Sequence, residues 1–321
     1  MYSTGITSFI EISQLVIVTV TVPFYLFLLF LMVQAQFRKI DELATPFFKL
    51  CISTALIDLA TLFANYFGVM FPKLGFFPSF YLYLDTFYAH TYFYIAWSTG
   101  ICQAMSVSVL ATNRLSAMIF PGIYHKMWLS HRLWIAVAVQ LIPGMLIGSL
   151  TFFNTTELVL NEHDGIVPRF SNKQMTGVFF GVGGFFLLSN CLYLIVAYCY
   201  LFVTLKKSNQ KVWKSLGPVK NRAKERRAKR REQRLFVMCS VIVAVQLTIF
   251  LFFTVKVAGV FQMDVDEFYL FYNALSDLFA SINPYLLWIF SDSLRKYALS
   301  KIGICKSNSS TNTTIAVTVT K

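Results

Sequence analysis

Seven apolar runs, each long enough to cross a bilayer as a helix, constrain this chain more than any other feature of its sequence. They cover about residues 10–33, 46–71, 85–120, 133–153, 176–205, 235–257 and 267–290. Because backbone groups find no water in lipid, each run must be helical. Only 13% of the 321 residues are charged, which is about half the fraction found in soluble domains. We therefore predict an all-α membrane protein, a seven-transmembrane-helix bundle.

Basic residues are concentrated on one side of the predicted bundle. Of the 28 lysines and arginines, 24 lie in or beside the segments that follow the first, third, fifth and seventh runs. Positive residues stay in the cytoplasm, so we expect the N-terminus outside the plasma membrane and the C-terminus inside. The first run is too long for the core of a cleaved signal peptide and is predicted to be a retained helix. The net charge of +13 thus reflects topology and does not indicate a nucleic-acid partner.

The sequence predicts one membrane domain, residues 1–305, and a disordered cytoplasmic tail, residues 306–321. Residues 291–306, "SDSLRKYALSKIGICK", are predicted to include a short amphipathic helix on the inner membrane surface. Cys305 near its end is a palmitoylation candidate, and an unmodified thiol is an equal alternative. Asn154 begins an Asn-Thr-Thr glycosylation pattern on the predicted outer side.

Two pairs of glycines have the spacing that allows helices to approach closely. Gly144 and Gly148 lie in the fourth run, and Gly177 and Gly181 lie in the fifth. These faces could form a homo- or hetero-oligomer. Packing within the bundle is the preferred interpretation.

Ionisable residues inside membrane segments are functional candidates because their burial is costly. Asp58 lies in the second run and Asp277 in the seventh, while Arg114 lies near the end of the third. Asn283 and Pro284 interrupt the hydrogen-bond ladder of the seventh run, since proline lacks a backbone donor. These residues are predicted to form a polar switch network. Asp58 has two open interpretations, a hub that links the second, third and seventh helices and a simple packing role. For Arg114, the alternative to a functional role is an anchor that keeps this end of the helix in the cytoplasm.

Two motifs carry a resemblance to a known family. "NRLSAMIFPGIYHKMW" follows the third run, and "NPYLLWIFSDSLRK" ends the seventh. Together with the seven-helix pattern, they resemble the nematode serpentine receptors of the gamma superfamily, which are chemoreceptors similar to G-protein-coupled receptors. Class gamma and its sister classes V, U and X share these motifs. The resemblance implies signalling through a heterotrimeric G protein, with location in the sensory cilium of a neuron.

The resemblance gives roles to individual residues near the end of the third run. It implies that Asn113 and Arg114 contact the G protein in a cytoplasmic cavity that opens on activation. Tyr124 and Trp128 are then expected at the membrane interface. Asn113 is neutral where most such receptors carry an acid, so a charged resting lock with Arg114 is excluded and other contacts must hold the inactive state.

Aromatic and polar residues in the predicted outer half of the bundle indicate a site for a small organic ligand. The candidates are Asn65, Tyr88, His90, Tyr92, Trp97, Gln246, Tyr272 and Asn273. The seventh run has no lysine for a retinal Schiff base, which argues against an opsin. No cofactor is expected.

Other functional classes find less support in the sequence. A small-solute or proton transporter using Asp58 and Asp277 is the alternative, but the chain lacks the inverted repeat and paired broken helices typical of transporters. The four histidines have no metal-site spacing, and no phosphate loop or nucleophile elbow is present. We therefore expect no metal site and no enzymatic activity.

Overall fold

Long helices account for most of the chain in the computed structural model, which describes residues 4–160, 165–214, 219–257 and 265–303. The long helices are α1 (Thr4–Phe37), α2 (Pro46–Asn65), α3 (Pro78–Ile119), α4 (Ser130–Ser149), α5 (Lys173–Lys214), α6 (Val219–Val257) and α7 (Val265–Phe290). A shorter helix, α8 (Asp292–Lys301), follows α7 directly. Among the described residues, six helices are long and apolar enough to cross a membrane. The seventh predicted run corresponds to α7, whose 26 residues exceed the roughly 20 that a span requires.

Several helix limits differ from those expected from hydropathy. α2 continues through a π-helical segment, Tyr66–Met70, before it ends at Lys73. α3 begins at Pro78, seven residues before the predicted start, and is broken at Asp85, where φ is +42°. α5 and α6 extend well beyond the apolar runs into the basic connection between them. Lys, Arg, Glu, Gln and Ala are strong helix formers, so this polar segment stays helical outside the predicted span.

α3 is the central helix of the bundle and contacts α2, α4, α5 and α6. Its contact with α4 is close because α4 presents Gly144 and Gly148 to it. A Cβ added at Gly144 would lie 2.4 Å from the carbonyl oxygen of Ser98, and one at Gly148 would lie 1.9 Å from the Ser98 hydroxyl. The first glycine pair therefore packs within the bundle, as preferred from the sequence. The second pair does not, because nothing lies within 4 Å of a Cβ added at Gly177 or Gly181.

The connection between α4 and α5 forms an antiparallel hairpin that the sequence analysis did not predict. Its strands are β1 (Thr156–Leu160) and β2 (Ile166–Phe170). The ring of Phe170 stacks on that of Phe93 in α3, with 3.9 Å between centroids. The hairpin thus covers one end of the bundle, which we call the hairpin end; the opposite end, where α3 ends, is called the Arg114 end.

The bundle has two main apolar clusters, one toward each end. An aromatic cluster beneath the hairpin includes Tyr92, Phe93 and Trp97 of α3. A larger, mainly aliphatic cluster toward the Arg114 end draws on most of the helices and also includes Leu294 and Ala298 of α8. The Ser291 hydroxyl caps α8 by accepting from the Leu294 backbone N–H. α8 is therefore fixed to the bundle through its apolar face, as its amphipathic pattern predicts.

Candidate functional site

Two adjoining cavities lie within the bundle near the hairpin end. The first, called the α6 cavity, is lined by Gln103 of α3 and Gln246 of α6. The second, called the α2 cavity, is lined by Asn65 of α2 and Asn273 of α7. Trp97 and Tyr272 line both. The wall of the α6 cavity is mostly apolar, and the wall of the α2 cavity combines aromatic rings with amide and hydroxyl groups. Apolar surface with a few polar groups is the character of a small-molecule site.

The structure brings six of the eight predicted ligand residues to these cavities. Those six are Asn65, Tyr92, Trp97, Gln246, Tyr272 and Asn273. Tyr88 lies outside the cavity walls and donates its hydroxyl to the backbone oxygen of Gly68 at 2.5 Å. His90 is half-buried, with its ring beside that of Phe152. It follows Tyr88 by two residues, a rotation of about 200° around the helix, so it faces away from Tyr88 and Tyr92.

Asp58 is fully buried and accepts hydrogen bonds from three other helices. The Tyr25 hydroxyl of α1 donates to Oδ2 at 2.7 Å, and Asn283 Nδ2 of α7 donates to the same oxygen at 2.7 Å. Gln103 Nε2 of α3 donates to Oδ1 at 2.8 Å. We call these four residues the Asp58 hub. The geometry is that of the hub interpretation, with α1 as an additional member.

Asp277 is also buried but belongs to a separate cluster. Its Oδ1 accepts from Asn65 Nδ2 at 2.7 Å and its Oδ2 from Gln14 Nε2 at 3.1 Å. Among the described residues, no side chain bonds to both carboxylates. The single switch network expected from the sequence is therefore two networks. On α7, Asp277 and Asn283 are six residues apart, which places them about 9 Å apart along the axis.

A third polar network joins α3, α5 and α6. Gln246 Nε2, from the wall of the α6 cavity, donates to Asn190 Oδ1 at 2.7 Å. Asn190 Nδ2 in turn donates to the Ser108 hydroxyl of α3 at 3.0 Å. Sequence reasoning missed Gln103 and Asn190 because it searched the runs for ionisable groups. Buried amides within apolar helices were the available signal, since they must find hydrogen-bond partners there.

Arg114 is 7% exposed and lies over the ring of Phe47 in α2, with 3.5 Å from its guanidinium carbon to the ring centroid. α3 continues beyond it to Ile119. In this structure the guanidinium is therefore packed against an aromatic face inside the bundle, an arrangement that suits its flat, weakly hydrated cation.

The segment after α3 is bonded back to α3 itself. Tyr124, in a short loop helix (Tyr124–Met127), donates its hydroxyl to Asn113 Oδ1 at 3.2 Å. The Trp128 indole N–H donates to the Ser116 hydroxyl at 2.8 Å. The expected location of these two rings at the membrane interface stays a prediction, and the structure adds that both bond to α3. The neutral Asn113 accepts one of these bonds as an amide oxygen.

The two modification candidates have different outcomes. Asn154 is buried, and its Nδ2 atom, which would carry a glycan, donates to the Thr176 hydroxyl at 2.9 Å. In the folded protein this nitrogen is therefore buried and bonded, and glycosylation at Asn154 stays a prediction. Cys305 and the predicted tail lie outside the described residues.

The part of the chain that the structure describes contains neither a cluster of metal-ligating side chains nor a disulfide bond. There, no three histidine, cysteine, aspartate or glutamate side chains are grouped to hold a metal ion. Five cysteines within the described ranges, Cys51, Cys102, Cys191, Cys199 and Cys239, are free thiols. The chemistry available in the described cavities is thus hydrogen bonding and aromatic contact.

Comparison with known proteins agrees with this arrangement. The family model described as "Serpentine type 7TM GPCR chemoreceptor Srv" matches residues 14–304. Serpentine receptor class V-1 of Caenorhabditis elegans is 34% identical over 89 residues, which are 26% of this chain and 27% of that relative. The matched segment thus spans about a quarter of the relative's length. Class V is one of the sister classes that the sequence motifs left open. Because this family model matches nearly the whole length of the chain, the chain belongs to the Srv family of serpentine seven-transmembrane chemoreceptors.

Proposed function

We propose that this protein is a chemosensory receptor that binds a small organic ligand in the α6 and α2 cavities and activates a heterotrimeric G protein at the Arg114 end. The hairpin end then faces the outside of the cell and the Arg114 end faces the cytoplasm. The distribution of basic residues supports this orientation, because 24 of the 28 lie in or beside segments at the Arg114 end. The sensory cilium of a neuron is the proposed location.

One residue, Gln103, carries the proposal because it belongs to both the cavity and the hub. It lines the α6 cavity, and its Nε2 atom donates to Asp58. A ligand that hydrogen-bonds to the Gln103 amide competes with this contact and weakens the hydrogen bond from Gln103 to Asp58. The hub includes Asn283, next to Pro284 at a weak point of α7. Ligand binding can therefore shift the packing of α7, to the extent that the ligand prefers one arrangement over the other.

At the opposite end, the contacts of α3 support our assignment of this arrangement to the resting receptor. Arg114 is covered by Phe47, and Tyr124 and Trp128 hold the following loop onto α3. Release of these contacts would uncover Arg114 at the Arg114 end of the bundle. An exposed guanidinium can then bind the carbonyl groups at the C-terminal end of a G-protein helix, where the helix dipole favours a cation.

The test is agonist-stimulated nucleotide exchange on a co-expressed G protein, after a screen of volatile and small secreted metabolites for an agonist. Arg114→Lys should retain surface level but weaken exchange, because lysine lacks the planar fork of donors. Arg114→Ala should abolish exchange and still bind ligand. Arg132, exposed at the same end of the bundle, is the matched control, and its alanine variant should signal as wild type. Wild-type signalling by both Arg114 variants would reduce Arg114 to a membrane anchor. Substrate flux in liposomes, with no exchange, would instead establish the transporter alternative.

A further inference from the structure

The surroundings of Asp277 indicate the charge of the ligand. Its two hydrogen-bond donors, the amides of Asn65 and Gln14, are neutral. No basic side chain among the described residues pairs with it. Asp277 is 3% exposed. An ionised carboxylate buried with neutral donors alone is costly, so this position favours the arrival of a positive charge.

Two buried polar atoms next to Asp277 have no partner. The Gln14 amide donates its nitrogen to Asp277, while the oxygen of the same amide accepts nothing. Tyr66, which follows Asn65 at the start of the π-helical segment, has a buried hydroxyl that is also unbonded. Gln14 and Tyr66 are each 6% exposed, so water at the protein surface does not satisfy them. Buried polar groups without partners are uncommon in folded proteins and indicate a missing group. The Gln14 oxygen can only accept, so the group missing beside it is a donor, whereas the Tyr66 hydroxyl can donate or accept.

The α2 cavity reaches this cluster through one hydrogen bond. Asn65 lines the cavity and donates to Asp277, and Asn273, also in the cavity wall, lies one helical turn before Asp277 on the same side of α7. The remaining wall is rich in aromatic rings, namely those of Tyr92, Phe93, Trp97, Phe180 and Tyr272. The faces of such rings attract organic cations, and a ring-lined cavity is the usual receptor for an ammonium group.

We propose that the α2 cavity binds the ammonium group of a small organic amine, with Asp277 as its counter-ion. The cation enters between the aromatic rings and takes the place of the Asn65 amide at Asp277. The Gln14 amide oxygen accepts one of its N–H bonds, and Asn65 is freed to bond elsewhere. This inference rests on the proposed ligand site and specifies the class of compound that it recognises.

Two small probes that differ by one charge test the idea. Benzylamine is a cation at neutral pH, and benzyl alcohol is its neutral near-isostere. Binding of each to the full-length receptor in lipid nanodiscs is measured by isothermal titration calorimetry. We expect the wild-type protein to bind benzylamine about ten- to a hundredfold more tightly, the usual effect of a charged hydrogen bond. Asp277→Asn should remove this preference, because it weakens the binding of benzylamine much more than that of benzyl alcohol.

A control and a second variant keep the result decisive. Asp85→Asn removes an exposed carboxylate from the same half of the bundle and should retain the preference for benzylamine. If Asp277→Asn does not fold, Gln14→Leu is the second variant: it keeps the Asp277 charge and removes both the Gln14 oxygen and the Gln14 N–H that donates to Asp277. It should change the affinity for benzylamine and not that for benzyl alcohol. Equal affinity of the wild type for both probes, equal loss in the Asp85 variant, or no saturable binding of benzylamine would overturn the inference. None of these results touches the proposed receptor function, which fails only if nucleotide exchange responds to no ligand of any charge.

Discussion

Replacing Asp58 by leucine should prevent the receptor from folding, whereas replacing it by asparagine should not. Leucine has the same branched side-chain skeleton, with two larger methyl groups in place of the two oxygens, and accepts no hydrogen bonds. Asparagine has the same shape as aspartate and keeps one acceptor oxygen. The comparison therefore separates the hydrogen bonds of the hub from the space that the side chain fills.

The expected magnitude follows from the donors that surround Asp58. Tyr25, Gln103 and Asn283 are directed at its two oxygens from three different helices. Each buried donor left without a partner costs about 1–3 kcal/mol, so Asp58→Leu should lose about 3–9 kcal/mol. That loss is comparable to the whole stability of a typical protein, which is about 5–15 kcal/mol.

Asparagine can satisfy the same neighbours after one small rearrangement. Its oxygen can take the position of Oδ2, where Tyr25 and Asn283 donate. Its NH₂ group then faces Gln103, whose amide can rotate to present oxygen in place of nitrogen. We expect Asp58→Asn to fold to near the wild-type level and to alter ligand response, because the charge of the hub is lost.

Membrane-fraction yield and the thermal midpoint of the purified receptor measure the first effect, and agonist response measures the second. Asp41→Leu is the matched control, since it makes the same chemical change at an exposed acid between α1 and α2. The reasoning is refuted if Asp58→Leu gives the yield and midpoint of the Asp41 variant. Identical ligand responses of wild type and Asp58→Asn would leave Asp58 with a packing role only.

Three further predictions concern packing, the loop and topology. Gly144→Ala should lower the thermal midpoint, because overpacking against α3 costs about 1–3 kcal/mol and exceeds the gain in helix propensity. Gly177→Ala should raise the midpoint slightly, because the added methyl group contacts no other atom. Equal shifts in the two variants would contradict the packing of α4 on α3. Tyr124→Phe removes the bond to Asn113 and should raise ligand-independent nucleotide exchange, and an unchanged basal rate would show that this bond does not restrain the resting state. A tag on the C-terminus should be reached by antibody only after the cells are permeabilised, and labelling of intact cells would reverse the proposed orientation.

The sequence predicted the helices well because lipid leaves the backbone few alternatives. It did not predict the hairpin, since two five-residue strands in a polar connection carry little periodic signal. Their stability comes instead from contacts that are distant in sequence, such as Phe170 on Phe93. The limits of α5 and α6 were also missed, because hydropathy marks the lipid boundary and not the end of helical hydrogen bonding.

At the site, the sequence predicted which acidic side chains are functional candidates but not all of the residues that hydrogen-bond to them. Asp58 and Asp277 were both found as charges in apolar runs, and their partners Gln103 and Gln14 were not. Partners depend on the rotation of each helix about its axis, and no single run fixes that rotation. His90 shows the same limit, because it has the right chemistry and depth but lies on the wrong side of α3.

The two carboxylates form two matching contacts between α2 and α7. Asp58 of α2 meets Asn283 of α7, and Asn65 of α2 meets Asp277 of α7, so each helix contributes one acid and one amide. Asp58 and Asn65 are seven residues apart, which places them on one face of α2 about 10 Å apart along the axis. A displacement of α7 along α2 must break both contacts together. A ligand touching Gln103 acts on one contact and a cation at Asp277 acts on the other, so both cavities bias the same movement of α7.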